Sequence, residues 1–138
     1  MRYYLDTNAL ILVLTQDGDN VSRDVQHILK DYSNHFYVSS IAVQELIYAY
    51  KVKGIEDNDI KSVNDLFKAM ERLGIEIVPM NKYHLLQYAA LEAAAGHKDP
   101  SDHIIIAQAI ADKIPIISSD RMFKKYIGQG LEFIFNKR

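Results

Sequence analysis

The sequence predicts an α/β protein built on a mostly parallel sheet of four to five strands with helices on both faces, and three observations predict it. Short β-prone apolar runs alternate with longer segments whose apolar residues recur at helical spacing. The strand-like runs are almost continuously apolar, as strands covered on both faces are, and lack the in-out alternation of a half-solvated sheet. Most of these runs stop at polar residues suited to capping the helix that follows. At 138 residues and 49% hydrophobic, the chain has the size of one domain, expected over residues 1–138.

Tyr3-Tyr4-Leu5 reads as the first strand, followed by Asp6, Thr7 and Asn8 as candidate caps and by an apolar helix from Ala9. Gln16 to Asn20 is a turn cluster, after which Val21, Val25, Ile28 and Leu29 mark a helix to about Tyr32. Phe36-Tyr37-Val38, bounded by Asn34 and by Ser39-Ser40, is the second strand. The third helix is expected from about Ile41 to Gly54, where Glu56-Asp57-Asn58-Asp59 makes a connection and a cap. Ile60, Val63, Leu66, Phe67 and Met70 define a fourth helix closed by Gly74. Ile75 to Val78 is a strand that stops at Pro79, and Asn81 caps an alanine- and leucine-rich helix expected to end at Gly96. Asp99-Pro100-Ser101-Asp102 opens the next helix, with proline at its favoured first position and Ile104 to Ala111 as its buried body. Ile114 to Ile117 is a strand ending at Ser118-Ser119-Asp120. A short basic helix, Arg121 to Tyr126, and a last strand, Leu131 to Phe135, complete the pattern.

Composition narrows the function. A formal net charge of −2 argues against bulk positive charge as the means of holding nucleic acid, so any such partner must meet a local patch. The chain has no cysteine, which excludes a disulfide scaffold, a thiolate metal site and a cysteine nucleophile. It opens without a signal-peptide pattern and holds no apolar stretch of bilayer length, so a soluble cytoplasmic protein without a membrane partner is expected. No glycine cluster follows any strand, so the usual dinucleotide and phosphate loops are missing.

Four acids stand where they invite a second use. Asp6 ends a strand, at the sheet edge where α/β proteins place their ligands, although taken alone a helix cap is the better explanation of it. Asp102, three residues after a capping Asp99, fits a capping box, and Asp120 fits a cap for the helix at Arg121. Glu45 is less easily explained, because its helical neighbours Ile41, Ala42 and Ala49 aim it at an apolar face with no lysine or arginine one turn away. Gathered at one edge, carboxylates about 5 Å apart would repel by roughly 3 kcal/mol per pair at an effective dielectric near 20. A divalent cation relieves that repulsion, and all-oxygen ligation suits Mg²⁺ or Mn²⁺. The five histidines show no metal-ligand spacing, which argues against Zn²⁺.

The ordered set Leu5-Asp6-Thr7-Asn8, Glu45 in an apolar helix, Asp99 to Ala109, and Ile117 to Phe123 resembles PIN domains, in particular the VapC-type toxin ribonucleases of toxin–antitoxin pairs. The resemblance covers essentially the whole chain. It implies a PIN-like three-layer α/β/α fold and an Mg²⁺- or Mn²⁺-dependent endoribonuclease. By the same resemblance Asp6, Glu45, Asp102 and Asp120 form the metal-binding catalytic quartet. Asn8 and Ser118, with Thr7 a weaker candidate, orient the acids or the attacking water. Ser101 and His103 stand where many members carry phenylalanine and arginine, and Ser118 stands where threonine is common. An inhibitory antitoxin and a homodimer are further implications of the family.

Arg121, Lys124, Lys125 and Lys98 are placed to meet the phosphates of an RNA substrate, although a solvated helix face accounts for them too. Tyr48, Tyr50, Phe67 and Met70 offer more large apolar surface than a monomer's exterior needs, a candidate groove for a partner helix. The alternative from another class is a PIN-like module that binds RNA or protein without cutting; retention of all four acids speaks against it. A haloacid-dehalogenase-type phosphotransferase needs a second aspartate two residues after the first, and that position is Asn8.

Overall fold

The computed structural model of the chain describes residues 1–57 and 59–138. Asn58, assigned above to a connecting cap, lies outside the described residues. Among the described residues five strands form one sheet: β1 (Arg2–Leu5), β2 (His35–Ser39), β3 (Ile75–Val78), β4 (Ile116–Ser118) and β5 (Phe133–Phe135). Their order is β3-β2-β1-β4-β5, and every neighbouring pair is parallel. The connections from β1 step outward to β2 and β3, and the chain then returns to β1's other side for β4 and β5. The switch point therefore lies between β1 and β4, where an α/β sheet opens a crevice beyond its carboxyl ends.

The helices are α1 (Thr7–Leu14), α2 (Arg23–Lys30), α3 (Ser40–Lys53), α4 (Val63–Arg72), α5 (Lys82–Ala90) and α6 (Pro100–Asp112), joined by 3-10 turns at Gly18–Asn20 and Arg121–Gln129. Strand alternation sorts the core into two layers. Tyr3, Leu5, Phe36, Val38 and Ile117 pack with Leu10, Leu46, Leu66 and Met70 on one face, while Tyr4 and Ile116 pack with Ile105, Ile106, Phe123 and Tyr126 on the other. Helix α3 reaches both layers, with Ala42 in one and Val43 and Leu46 in the other. The result is the three-layer α/β/α arrangement that the alternating sequence pattern predicts. None of the described helices is long and apolar enough to cross a membrane.

The departures from the sequence reading have local causes. Helix α5 ends at Ala90 instead of Gly96, because Leu91 turns extended at φ −69° and ψ 131°. Side chains from the far 3-10 segment claim the freed backbone: Gln129 bonds both the N–H and the C=O of Glu92, and the Tyr126 hydroxyl accepts the Ala94 N–H at 3.0 Å. These tertiary bonds override the helix propensity of an alanine-rich run. Ile60 is buried in the core but precedes α4, whose cap is Ser62. Strand β4 starts later than expected, since Lys113 is left-handed at φ 55° and ends α6. The basic helix after Asp120 is 3-10 in type and longer than expected, and β5 is confined to three residues.

Candidate metal centre

Asp6 is both a cap and a site residue, using a different oxygen for each. Its Oδ1 accepts the Ala9 N–H at 2.8 Å to start α1, and its Oδ2 accepts the Ser118 hydroxyl proton from the end of β4. Its own N–H extends the ladder to Ile117 O at 3.1 Å, so the carboxylate sits directly over the β1–β4 switch point. Asp6 is 5% exposed, and that burial pushes its carboxyl up to about 6. The bonds from Ser118 and Ala9 pull the other way, and the charges of Asp102 and Asp120 add to the rise.

Glu45 enters from α3, half-buried, with Oε1 accepting the Thr7 hydroxyl at 2.7 Å. Burial first, then the charges of Asp99 and Asp102, raise its carboxyl above the ordinary glutamate range, against the lowering effect of the Thr7 bond. Asp102 stands in the first turn of α6. Asp99 caps that helix, accepting from Ser101 N at 3.0 Å and from Asp102 N at 3.4 Å. The reciprocal half of a capping box is missing, because Asp102 Oδ2 lies 3.1 Å from His97 Nε2 instead of turning back to Asp99. Burial is the largest cause of a raised Asp102 carboxyl, opposed by the His97 bond. Asp120 caps the last 3-10 segment through Met122 N at 2.9 Å, and its own N–H donates to Ser118 Oγ at 3.0 Å.

These residues share one cavity of about 320 Å³, lined by Asp6, Thr7, Asn8, Glu45, Asp99, Asp102 and Asp120. All four predicted acids meet there, as does Asn8 at an exposed position on the rim; Ser118 is fully buried beneath, bonded to Asp6. No lysine or arginine makes an ion pair with any of these acids among the described residues, where the recorded pairs are two histidine–aspartate contacts. Five carboxylates without a lysine or arginine partner among the described residues, all offering oxygen, are the donor set that suits a hard divalent cation. Arg121, Lys98, Lys124 and Lys125 are exposed on flanking segments; Arg121 lies over the Phe135 ring, and Lys125 reaches Ala95 O at 3.5 Å.

The sequence reading missed Asp99 as a wall of the cavity, and it missed His97. One ligand atom each from His97, Asp102 and Asp120 lie within 4.8 Å of one another. A larger apolar groove of about 780 Å³ adjoins the acidic cavity and shares Thr7, Asn8 and Glu45 with it. Ile11, Ile41, Tyr48, Val52 and Ile104 are among its lining residues. Of the four large side chains singled out on α3 and α4, Tyr48 and Phe67 are exposed, Tyr50 is partly buried, and Met70 belongs to the core.

Comparison with known proteins adds the context. The family model described as PIN domain matches residues 3–128. A search of curated proteins returns no match. Among solved structures, VapBC2 from Rickettsia felis bound to a promoter DNA fragment aligns at TM-score 0.67 and 18% identity, over 99% of this chain and 100% of that one. DNA-bound VapBC from Salmonella typhimurium aligns at 0.68 and 19%, over 98% of each chain. VapBC-5 from Mycobacterium tuberculosis, a member of the VapBC family of toxin–antitoxin systems, aligns at 0.65 and 18%, over 97% and 98%.

Proposed function

The chain belongs to the PIN-domain family, and from that premise we propose that it is an Mg²⁺- or Mn²⁺-dependent endoribonuclease serving as the toxin of a toxin–antitoxin pair. One observation carries the proposal: Asp6, Glu45, Asp102 and Asp120 come from four separate segments and line a single cavity, with no lysine or arginine paired to them among the described residues.

In this reading Asp6, Glu45, Asp102 and Asp120 hold the cation, with Asp99 adding negative charge on the α6 side. With a cation held by these residues, the site would offer an acidified water and charge stabilisation for a phosphoryl group undergoing hydrolysis. The protein's own part is orientation. Ser118 fixes Asp6 and the Asp120 backbone together, while Thr7 fixes Glu45, so the carboxylates are aimed before substrate arrives. Asn8, on the rim, is the residue to orient the attacking water. Arg121, Lys124, Lys125 and Lys98 meet flanking phosphates, offsetting the repulsion between a polyanion and an acidic cavity.

VapBC-5 from Mycobacterium tuberculosis belongs to the VapBC family of toxin–antitoxin systems, and the Rickettsia felis and Salmonella typhimurium structures are VapBC assemblies, which supports an antitoxin partner here. Its segment would lie along the apolar groove past Tyr48 and Val52, which opens onto Glu45, so one ligand would cover the route to the acids. A cytoplasmic homodimer completes the proposal.

Cleavage of single-stranded RNA by the purified chain tests the enzyme. Activity should require Mn²⁺ or Mg²⁺, vanish with EDTA, and be lost in Asp6→Asn and Asp102→Asn. RNA binding with no cleavage under any divalent cation would favour the non-cutting module instead.

A further inference from the structure

Behind the carboxylates of the cavity stands a buried histidine, His97, 7% exposed. Its Nε2 lies 3.1 Å from Asp102 Oδ2, and its Nδ1 lies 2.6 Å from the Tyr126 hydroxyl oxygen. Its proximity to Asp102 and Asp120 gives it two opposed roles: a nitrogen ligand for the cation, or a donor that holds Asp102 in place for one. The positions of the protons separate them.

Tyr126 is fully buried, and its hydroxyl oxygen already accepts the Ala94 N–H at 3.0 Å. Among the described residues, His97 Nδ1 is the acceptor within hydrogen-bond reach of the Tyr126 O–H. A buried hydroxyl proton without an acceptor is costly, so that bond is made and Nδ1 is the bare nitrogen. The proton of the neutral ring then sits on Nε2 and points at Asp102, leaving no Nε2 lone pair for a cation. The ring is also fixed from behind. His103 Nε2 donates to the His97 carbonyl at 2.9 Å, and its ring meets His97 edge-on at 4.7 Å between centroids.

We propose that His97 is a positioning residue of the metal site: Tyr126 locks its Nε2–H tautomer, and the locked ring tethers Asp102 Oδ2, leaving Oδ1 as the oxygen for the cation. The inference rests on the metal-site reading above, and it assigns His97 and Tyr126 to roles outside the ligand set.

The test uses the full chain. Long-range proton–nitrogen spectra of the ¹⁵N-labelled histidines should show His97 with a bare Nδ1 and a protonated Nε2, both before and after saturation with Mg²⁺. Mn²⁺ binding, read by the loss of the free-ion spin-resonance signal, should weaken about 10–100-fold in His97→Ala. In His97→Gln, whose amide N–H reaches the same place, it should stay within about threefold of wild type. Tyr126→Phe should release the tautomer in the spectra and weaken Mn²⁺ binding by an intermediate factor. Loss of the Nε2 proton on addition of Mg²⁺ overturns the proposal by making His97 a ligand. So does a folded His97→Ala that binds Mn²⁺ as wild type does. If His97→Ala does not fold, the wild-type spectra still decide. A wild-type chain that binds no Mn²⁺ overturns the metal reading and this inference together, whereas a normal wild type with an indifferent variant overturns only the role of His97.

Discussion

Ser118 and Asp6, 112 positions apart, are joined across the two central strands by a hydrogen bond from the Ser118 hydroxyl to Asp6 Oδ2. The same Ser118 oxygen accepts the Asp120 N–H at 3.0 Å, so one hydroxyl orients two acid-bearing segments. Its bond lowers the Asp6 carboxyl against the upward push of burial. Ser118→Ala should therefore raise that carboxyl further and move the acidic limb of the RNA-cleavage pH profile to higher pH. The maximal rate should fall about tenfold, as for other groups that orient metal-binding side chains. Ser118→Thr should restore the profile; an unchanged profile in the alanine variant would remove Ser118 from the site.

The cation-free protein should grow more stable on mild acidification. A carboxyl raised from 3.8 to about 6 binds its proton more tightly when folded, so its contribution is most favourable below pH 4 and is lost as pH rises through about 6. For Asp6 the difference amounts to roughly 3 kcal/mol, and the raised Glu45 and Asp102 act in the same direction. Thermal melts in EDTA should show a higher midpoint at pH 5 than at pH 7. Added Mn²⁺ should stabilise at pH 7 and lose that effect toward pH 5, where protons compete for the same oxygens.

Asp6→Asn separates catalysis from stability. The amide keeps a cap for Ala9 N and removes a buried charge, so the metal-free variant should melt at or above the wild-type temperature. RNA cleavage should fall by about 10²–10⁴-fold, the scale of losing a principal electrostatic group at a reaction centre. A melting temperature several degrees lower, with cleavage retained, would contradict both halves.

At the opposite end of α6, Asp112 anchors a buried hydrogen-bond network outside the residues that line the acidic cavity. It accepts from the buried Tyr4 hydroxyl and from His84 Nε2 at 2.9 Å, and His84 Nδ1 in turn accepts the Asn81 N–H at 3.1 Å. Asp112→Ala strands two donors and should destabilise by about 2–4 kcal/mol in urea unfolding. Mn²⁺ affinity of the folded fraction should be unchanged.

The architecture is legible because its signals are local: apolar strand runs, polar stops, and a proline and caps at helix starts. The site is legible only in part, for a physical reason. Asp6, Asp99 and Asp120 do cap helices, as their neighbours in sequence indicate, and local sequence cannot tell that the carboxylates of those caps also line one cavity. Glu45 is the exception, since a carboxylate among Ile41, Ala42 and Ala49 has no local explanation. His97 escapes because its pairing with Asp102 spans a turn and a helix start, a spacing with no metal-ligand signature, and depends on Tyr126, 29 positions away. The early end of α5 escapes for the same reason, its cause being Gln129 and Tyr126.

The acids that line the cavity lie as far apart in the chain as Asp6 and Asp120, and β1 acquires its inner neighbour β4 only after residue 116 has been made. A ribosome-bound fragment lacking that last stretch has Asp6 and Glu45 but neither Asp120 nor the Ser118 hydroxyl that aims Asp6. A chain that stops short of β4 therefore lacks part of the proposed site, and should bind Mn²⁺ far more weakly than the full chain.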